Sequence, residues 1–391
     1  MERGKIAAIS AMHFLVDIYS GFFGIYLVIA GLDPVIAASI SALASFVGNG
    51  LQPFLGYFAD RVRGKLPVFA GMLMGSICMS CIGLTQNYVL LFVLMLFGKI
   101  GISLFHPAGA NISGAAGRSR REFGFSIFTT VGTFGFALSH PSFSVVTGAL
   151  GTHNSYLLAL PCIVFAFAYL FLGEMEIQGH KVHVSFHELR RIVLRNLGQL
   201  TVLFLVMILR AAFVIGIGFF VAKLFAQWGF DRMLYSTAST VFSFSGASGV
   251  LLVGALAHRV NGKTVMLISL TGFIPFYAAF LYFGLAGNVL LTFLFLGITG
   301  FIVFSGQASN VVMGQRIVPE MISTVSGFLM GFAWAVANFS GPLVAALEDA
   351  IPRLPGLMSG FAVLVLLPLL AALLAVFLKE PSRQQPVSSC S

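Results

Sequence analysis

Charge is scarce in this chain. Only 9% of its 391 residues are Asp, Glu, Lys or Arg, where a soluble domain carries about 25%. Acid is scarcer than base, 13 residues against 22, and there are just 2 Trp and 4 Cys. So little charge cannot clothe a water-facing surface, which excludes a soluble globular protein. The cysteines offer no disulfide framework. Cys78 and Cys81 form a CxxC inside an apolar run, where a thiol stays protonated and redox chemistry is not expected. Cys162 also falls in an apolar run, and Cys390, second from the end, is not a prenylation box. No Walker loop, nucleophile–base set or zinc motif is present, so neither an enzyme nor an ATP-driven pump is expected, and no cofactor. His180, His183 and His187 read as a solvated amphipathic loop, and no metal is expected there. The first apolar run is too long for a cleavable signal. The net charge of +9 would suggest nucleic acid in a soluble protein; here it reflects basic cytoplasmic loops, and no nucleic-acid partner is expected.

What the chain has instead is apolar length. Hydrophobic residues make up 58%, and mean hydropathy is +0.97. The 43 Gly and 41 Phe suit close-packed helices facing lipid. A span needs about 20 apolar residues. Segments 6–30, 35–58, 66–86, 88–113, 122–149, 154–174, 197–226, 233–257, 264–285, 288–313, 321–347 and 356–378 meet that requirement and predict twelve transmembrane helices. The class is an all-α, multi-pass membrane protein in the bilayer. Basic residues in the alternate loops place both termini in the cytoplasm. The domains follow: a six-helix bundle over 1–174, a cytoplasmic linker over 175–196, a second bundle over 197–378, and a tail over 379–391.

The halves repeat. Gly56-Tyr-Phe-Ala-Asp60-Arg61-Val-Arg-Gly64-Lys65 between spans 2 and 3 matches Gly254-Ala-Leu-Ala-His258-Arg259-Val-Asn-Gly262-Lys263 between spans 8 and 9. Gly101, Phe105 and Asn111 in span 4 match Gly300, Phe304 and Asn310 in span 10. A loop motif recurring at equivalent points of two six-span halves signals a duplicated transporter. Gly56, Asp60, Arg61, Gly64, Lys65 and Arg259 are the conformational loop motif: Gly56 allows close approach, Asp60 can cap a helix, and the cations hold the loop at the cytoplasmic face.

The loop resembles the signature of the major facilitator superfamily. A closer resemblance combines His13-x-x-x-Asp17, Gln52-Pro53-x-x-Gly56-Tyr57-x-x-Asp60, Leu66-Pro67, Gly71-Met72, Phe105-His106-Pro107, Ser126-Ile127-Phe128, Gly132 and Gly135. These are similar to the fosmidomycin-resistance family of bacterial drug exporters. The resemblance covers most of the N-terminal half and implies two pseudo-symmetric bundles with spans 1, 4, 7 and 10 around a central cavity. It also implies drug export, with antibiotic resistance as an outcome, from the bacterial cytoplasmic (inner) membrane.

The sharpest signal is buried charge. Asp17 lies about 11 residues into span 1, Lys99 about 11 into span 4 and Arg210 about 13 into span 7, each near the bilayer centre at about 1.5 Å per residue. A carboxylate there costs about 3 kcal/mol unless paired or wetted. Asp17 is therefore expected to pair with Arg210 or Lys99. Asp17, Lys99, Arg210 and His106, with Gln307 and Asn310 in span 10, are the candidate substrate-binding residues. The excess of cations suggests an anionic group such as a phosphonate, phosphate or carboxylate. His13 is one turn from Asp17, and His106 shares the face of Lys99; Asp17, His13 and His106 are the candidates for proton coupling. Pro107 and Ser139-His140-Pro141 are expected to bend spans 4 and 5, with Pro342 as a counterpart in span 11. The expected function is secondary, proton-coupled export of a small molecule by alternating access, acting as a monomer. The alternative is import or facilitation of an anionic metabolite.

Overall fold

The computed structural model describes residues 2–61, 65–117, 121–172, 191, 194–256, 261–317 and 328–379. The described residues are helical almost throughout. In lipid every backbone polar group needs an internal partner, which a helix supplies. In chain order the helices are α1 (Arg3–Ser20), α2 (Phe22–Ala30), α3 (Pro34–Arg61), α4 (Leu66–Ser80), α5 (Tyr88–Gly117), α6 (Arg121–Ala137), α7 (Ser139–Leu150) and α8 (Leu160–Phe171). The second half holds α9 (Leu197–Gln227), α10 (Arg232–Leu256), α11 (Gly262–Thr271), α12 (Ile274–Leu285), α13 (Val289–Ser305), α14 (Gln307–Ile317), α15 (Ala333–Ala337), α16 (Ser340–Ala346), α17 (Met358–Leu364) and α18 (Leu366–Val376).

Among the described residues, nine helical stretches are long and apolar enough to cross a membrane; Val289–Ser305 and Ala333–Ala346 are shorter apolar stretches. Several expected spans are interrupted. Span 1 breaks at Gly21 between α1 and α2, span 5 at Leu138, and span 10 at Gly306. The break in span 5 is followed by Pro141, which fits a first helical turn but not a helix interior. By contrast α5 continues through Pro107, which sits inside the helix. The linker over 175–196, apart from 191 and 194–196, and the tail beyond 379 lie outside the described residues.

The packing repeats as the sequence repeats. In the first half α5 packs against α3 and α4; in the second, α13 packs against α10 and α12. The halves meet along two seams, α10 with α6 and α7, and α3 with α15 and α16, while α2 leans on α9. Phe46 of α3 meets Phe332 and Phe339 across the second seam, at ring-centroid distances of 6.4 and 5.6 Å.

Candidate functional site

Asp17 sits on α1 between two imidazoles. His13 Nε2 is 3.1 Å from Asp17 Oδ2, and His106 Nε2, from α5, is 3.1 Å from Oδ1. Positions 13 and 17 share a helix face, so the first contact follows from spacing alone. The second requires α1 and α5 to pack together, as they do.

His13 is held on every side. It is buried, its Nδ1 lies 2.8 Å from the Phe128 carbonyl oxygen of α6, and its ring stacks on Phe128 at 3.9 Å and 16°. The ring fits because residue 132 is glycine: a Cβ there would lie 2.3 Å from His13 Cε1. At Gly135 a Cβ would lie 2.0 Å from the Phe14 carbonyl oxygen, so the same stripe lets α6 approach α1.

A carbonyl only accepts, so in the contact with Phe128 it is His13 Nδ1 that carries the hydrogen. His106 Nε2 is in hydrogen-bond contact with Asp17 Oδ1, and its Nδ1 has no hydrogen-bond partner among the described residues. The triad thus sets one imidazole nitrogen against each oxygen of a single carboxylate.

The expected pairing of Asp17 with Lys99 or Arg210 is corrected. Both oxygens of Asp17 face histidines. Lys99 Nζ donates instead to the Ser20 carbonyl oxygen at 3.2 Å, a group freed where α1 ends. Ser139 Oγ, at the start of α7, lies 3.4 Å from the Asp17 carbonyl oxygen and 2.7 Å from that of Phe136. The breaks in spans 1 and 5 therefore face each other and are stitched by side chains.

Arg210 stands apart in the second half. It is fully buried on α9, and its Nε, Nη1 and Nη2 have no hydrogen-bond partner among the described residues. Asn310 on α14 is also buried, with Oδ1 and Nδ2 unpartnered among the described residues. The helices α9 and α14 pack together. Gln307, at the start of α14, is half-buried.

Of the loop motif, Gly56, Asp60 and Arg61 fall in the last turns of α3, but their side chains, and all of Gly64 and Arg259, lie outside the described residues. Lys65 and Lys263 are described, and they do the same thing. Lys65 Nζ donates to the carbonyl oxygens of Leu170 and Leu172, the first at 2.9 Å, where α8 ends. Lys263 Nζ donates to those of Val376 and Leu378 at 2.6 and 2.8 Å, where α18 ends. Each ammonium caps the last carbonyls of its own half's final helix, at the negative end of the helix dipole. Reasoning from sequence missed Arg232 and the Phe128 carbonyl; only Gly132 and Phe128, already noted in the chain pattern, pointed toward the His13 slot.

Comparison with known proteins agrees with this architecture. The family described as "Major Facilitator Superfamily" matches residues 6–342. The chain is similar to the fosmidomycin resistance protein of Escherichia coli (strain K12), 25% identical over 88% of this chain and 86% of the relative. It is also similar to the uncharacterized MFS-type transporter YfnC of Bacillus subtilis (strain 168), 24% identical over 86% of this chain and 83% of that one. The fold is shared with the nucleoside transporter NupG, TM-score 0.75 at 15% identity over 96% of this chain and 98% of that chain. It is shared too with a bacterial homolog of the lysosomal transporter Spinster, TM-score 0.74 at 15% identity over 97% and 98% of the two chains. The protein is a multi-pass integral protein of the inner membrane and a transporter rather than an enzyme. A duplicated helical bundle, buried ionisable groups in its spans and a family match over most of its length place this chain in the major facilitator superfamily.

Proposed function

We propose that this protein exports a small anionic molecule, phosphonate-like in its charged group, in exchange for protons. The carrying observation is the His13–Asp17–His106 triad, and in this reading the exchanged proton sits between His13 and Asp17. Proton and cargo use separate groups. The triad in the first half takes the proton; Arg210, supported by Asn310, takes the anion in the second. A buried guanidinium without a partner is costly, and an anionic oxygen offered by the cargo removes that cost with charge-assisted hydrogen bonds. Lys99 adds positive potential near the triad while holding the Ser20 carbonyl.

The coupling runs through backbone. The proton joins α1 to α6, because His13 bridges Asp17 and the Phe128 carbonyl. Its loss turns two lone pairs toward each other and loosens that bridge. Helix α6 lies on the seam with α10 of the other half, so protonation biases how the halves rock. The similarity to the fosmidomycin resistance protein supports drug export. The test is purified protein in proteoliposomes, with an imposed pH gradient and a panel of phosphonates, phosphates and carboxylates. Gradient-driven movement of an anion is expected, and its absence across the panel overturns the reading.

One observation favours a second reading. Arg210 has no hydrogen-bond partner among the described residues, and a buried cation left without a carboxylate serves an anion moving in either direction. Import or facilitation of an anionic metabolite is distinguished by uptake of labelled organic anions alongside drug susceptibility in overexpressing cells.

A further inference from the structure

Arg232 opens α10, where a cation is disfavoured by its own helix dipole. The neighbouring Asp231 does the usual work of that position: its Oδ1 accepts from the Leu234 amide at 3.0 Å. Arg232 turns away to the other half. Its Nε donates to Ser144 Oγ at 3.0 Å, and its Nη2 to the Ser144 carbonyl oxygen at 3.0 Å and Thr147 Oγ1 at 2.9 Å. All three acceptors lie on Ser144 and Thr147 of α7.

From these contacts we infer that Arg232 is the latch that holds the two halves together at the end of the bundle remote from the Lys65 and Lys263 caps. The seam behind it is closed as well. Thr240 Oγ1, two turns along α10, donates to the Ala137 carbonyl oxygen at 2.6 Å, and Phe244 stacks on Phe134 at 5.0 Å. Arg232 differs from these in chemistry. It is charged and half-buried, and its acceptors are two hydroxyls and a carbonyl. Water can replace neutral acceptors with little loss, whereas a carboxylate partner would weld the seam. The contact is therefore strong enough to close this end and weak enough to release it in each cycle. It depends on no proton and no cargo group, so it stands independently of the proposed function.

The test measures the opening directly. Spin labels are placed at exposed positions on opposite halves at this end, His153→Cys and Ala286→Cys, with the 4 native cysteines replaced. Distances are read in nanodiscs by double electron–electron resonance. Arg232→Ala is expected to raise the long-distance population at least threefold. Ser144→Ala with Thr147→Val removes the two hydroxyl acceptors and is expected to shift it the same way by less; it keeps the question answerable if Arg232→Ala does not fold. Distance distributions identical to the parent's in the variants that fold overturn the latch.

Discussion

Residues 13, 17 and 106 carry the sharpest consequences at the smallest scale. The proposed scheme has Asp17 share a proton with His13, which an amide at position 17 cannot do. In proteoliposomes Asp17→Asn should abolish accumulation driven by a pH gradient while keeping exchange of cargo down its own gradient; preserved gradient-driven accumulation removes Asp17 from the scheme. Gly132→Ala should act on the same step without touching a titratable group. Its Cβ would lie 2.3 Å from the His13 ring, so the ring must leave its slot. Overpacking of this kind costs about 1–3 kcal/mol, and both that loss in unfolding midpoint and a loss of pH coupling are expected. Arg210 makes an opposite prediction about stability. Replacing a buried charge that has no hydrogen-bond partner among the described residues with a packed apolar side chain removes its desolvation cost. Arg210→Met should raise the thermal midpoint and lose binding of anionic ligands, measured by calorimetry on the same preparation. A lower midpoint would mean that Arg210 holds the fold rather than the cargo.

Helices and their ends set the next scale. Lys65 and Lys263 cap the final helices of the two halves with the same two-carbonyl geometry. Each Lys→Met variant should lower unfolding stability by about 0.3–1 kcal/mol. The double variant should lose the sum, because the two sites sit in separate halves and share no partner. Denaturant titration of the three variants checks this, and strong non-additivity would contradict it. The repeated loop was readable in the sequence, since charged loop residues rarely match by accident. That the lysines act as caps was not readable, because Leu170, Leu172, Val376 and Leu378 lie more than a hundred residues from them. The breaks tell a similar story. Ser139-His140-Pro141 signalled an irregularity in span 5. Nothing local showed that the break would lie opposite Gly21, where a Cβ would come within 2.8 Å of Ser139 Cβ.

At the scale of the whole molecule, two halves meet along paired seams, with a His–Asp–His triad in one half and, among the described residues, a buried Arg210 without a hydrogen-bond partner in the other. Membrane residence, the all-helical class and the duplication were determined by the sequence itself, because hydropathy over about 20 residues and a recurring loop motif are local properties. The cost of burying Asp17 was equally plain, since it depends only on depth in an apolar segment. Its partner was not. Lys99, Arg210, His13 and His106 all lay within plausible reach, and an almost uniformly apolar helix has no polar face to reveal its rotation. Helical spacing set His13 beside Asp17, and only the packing of α1 against α5 brought His106 to the other oxygen. Only the glycine at 132 gave His13 room to bridge Asp17 and the Phe128 carbonyl.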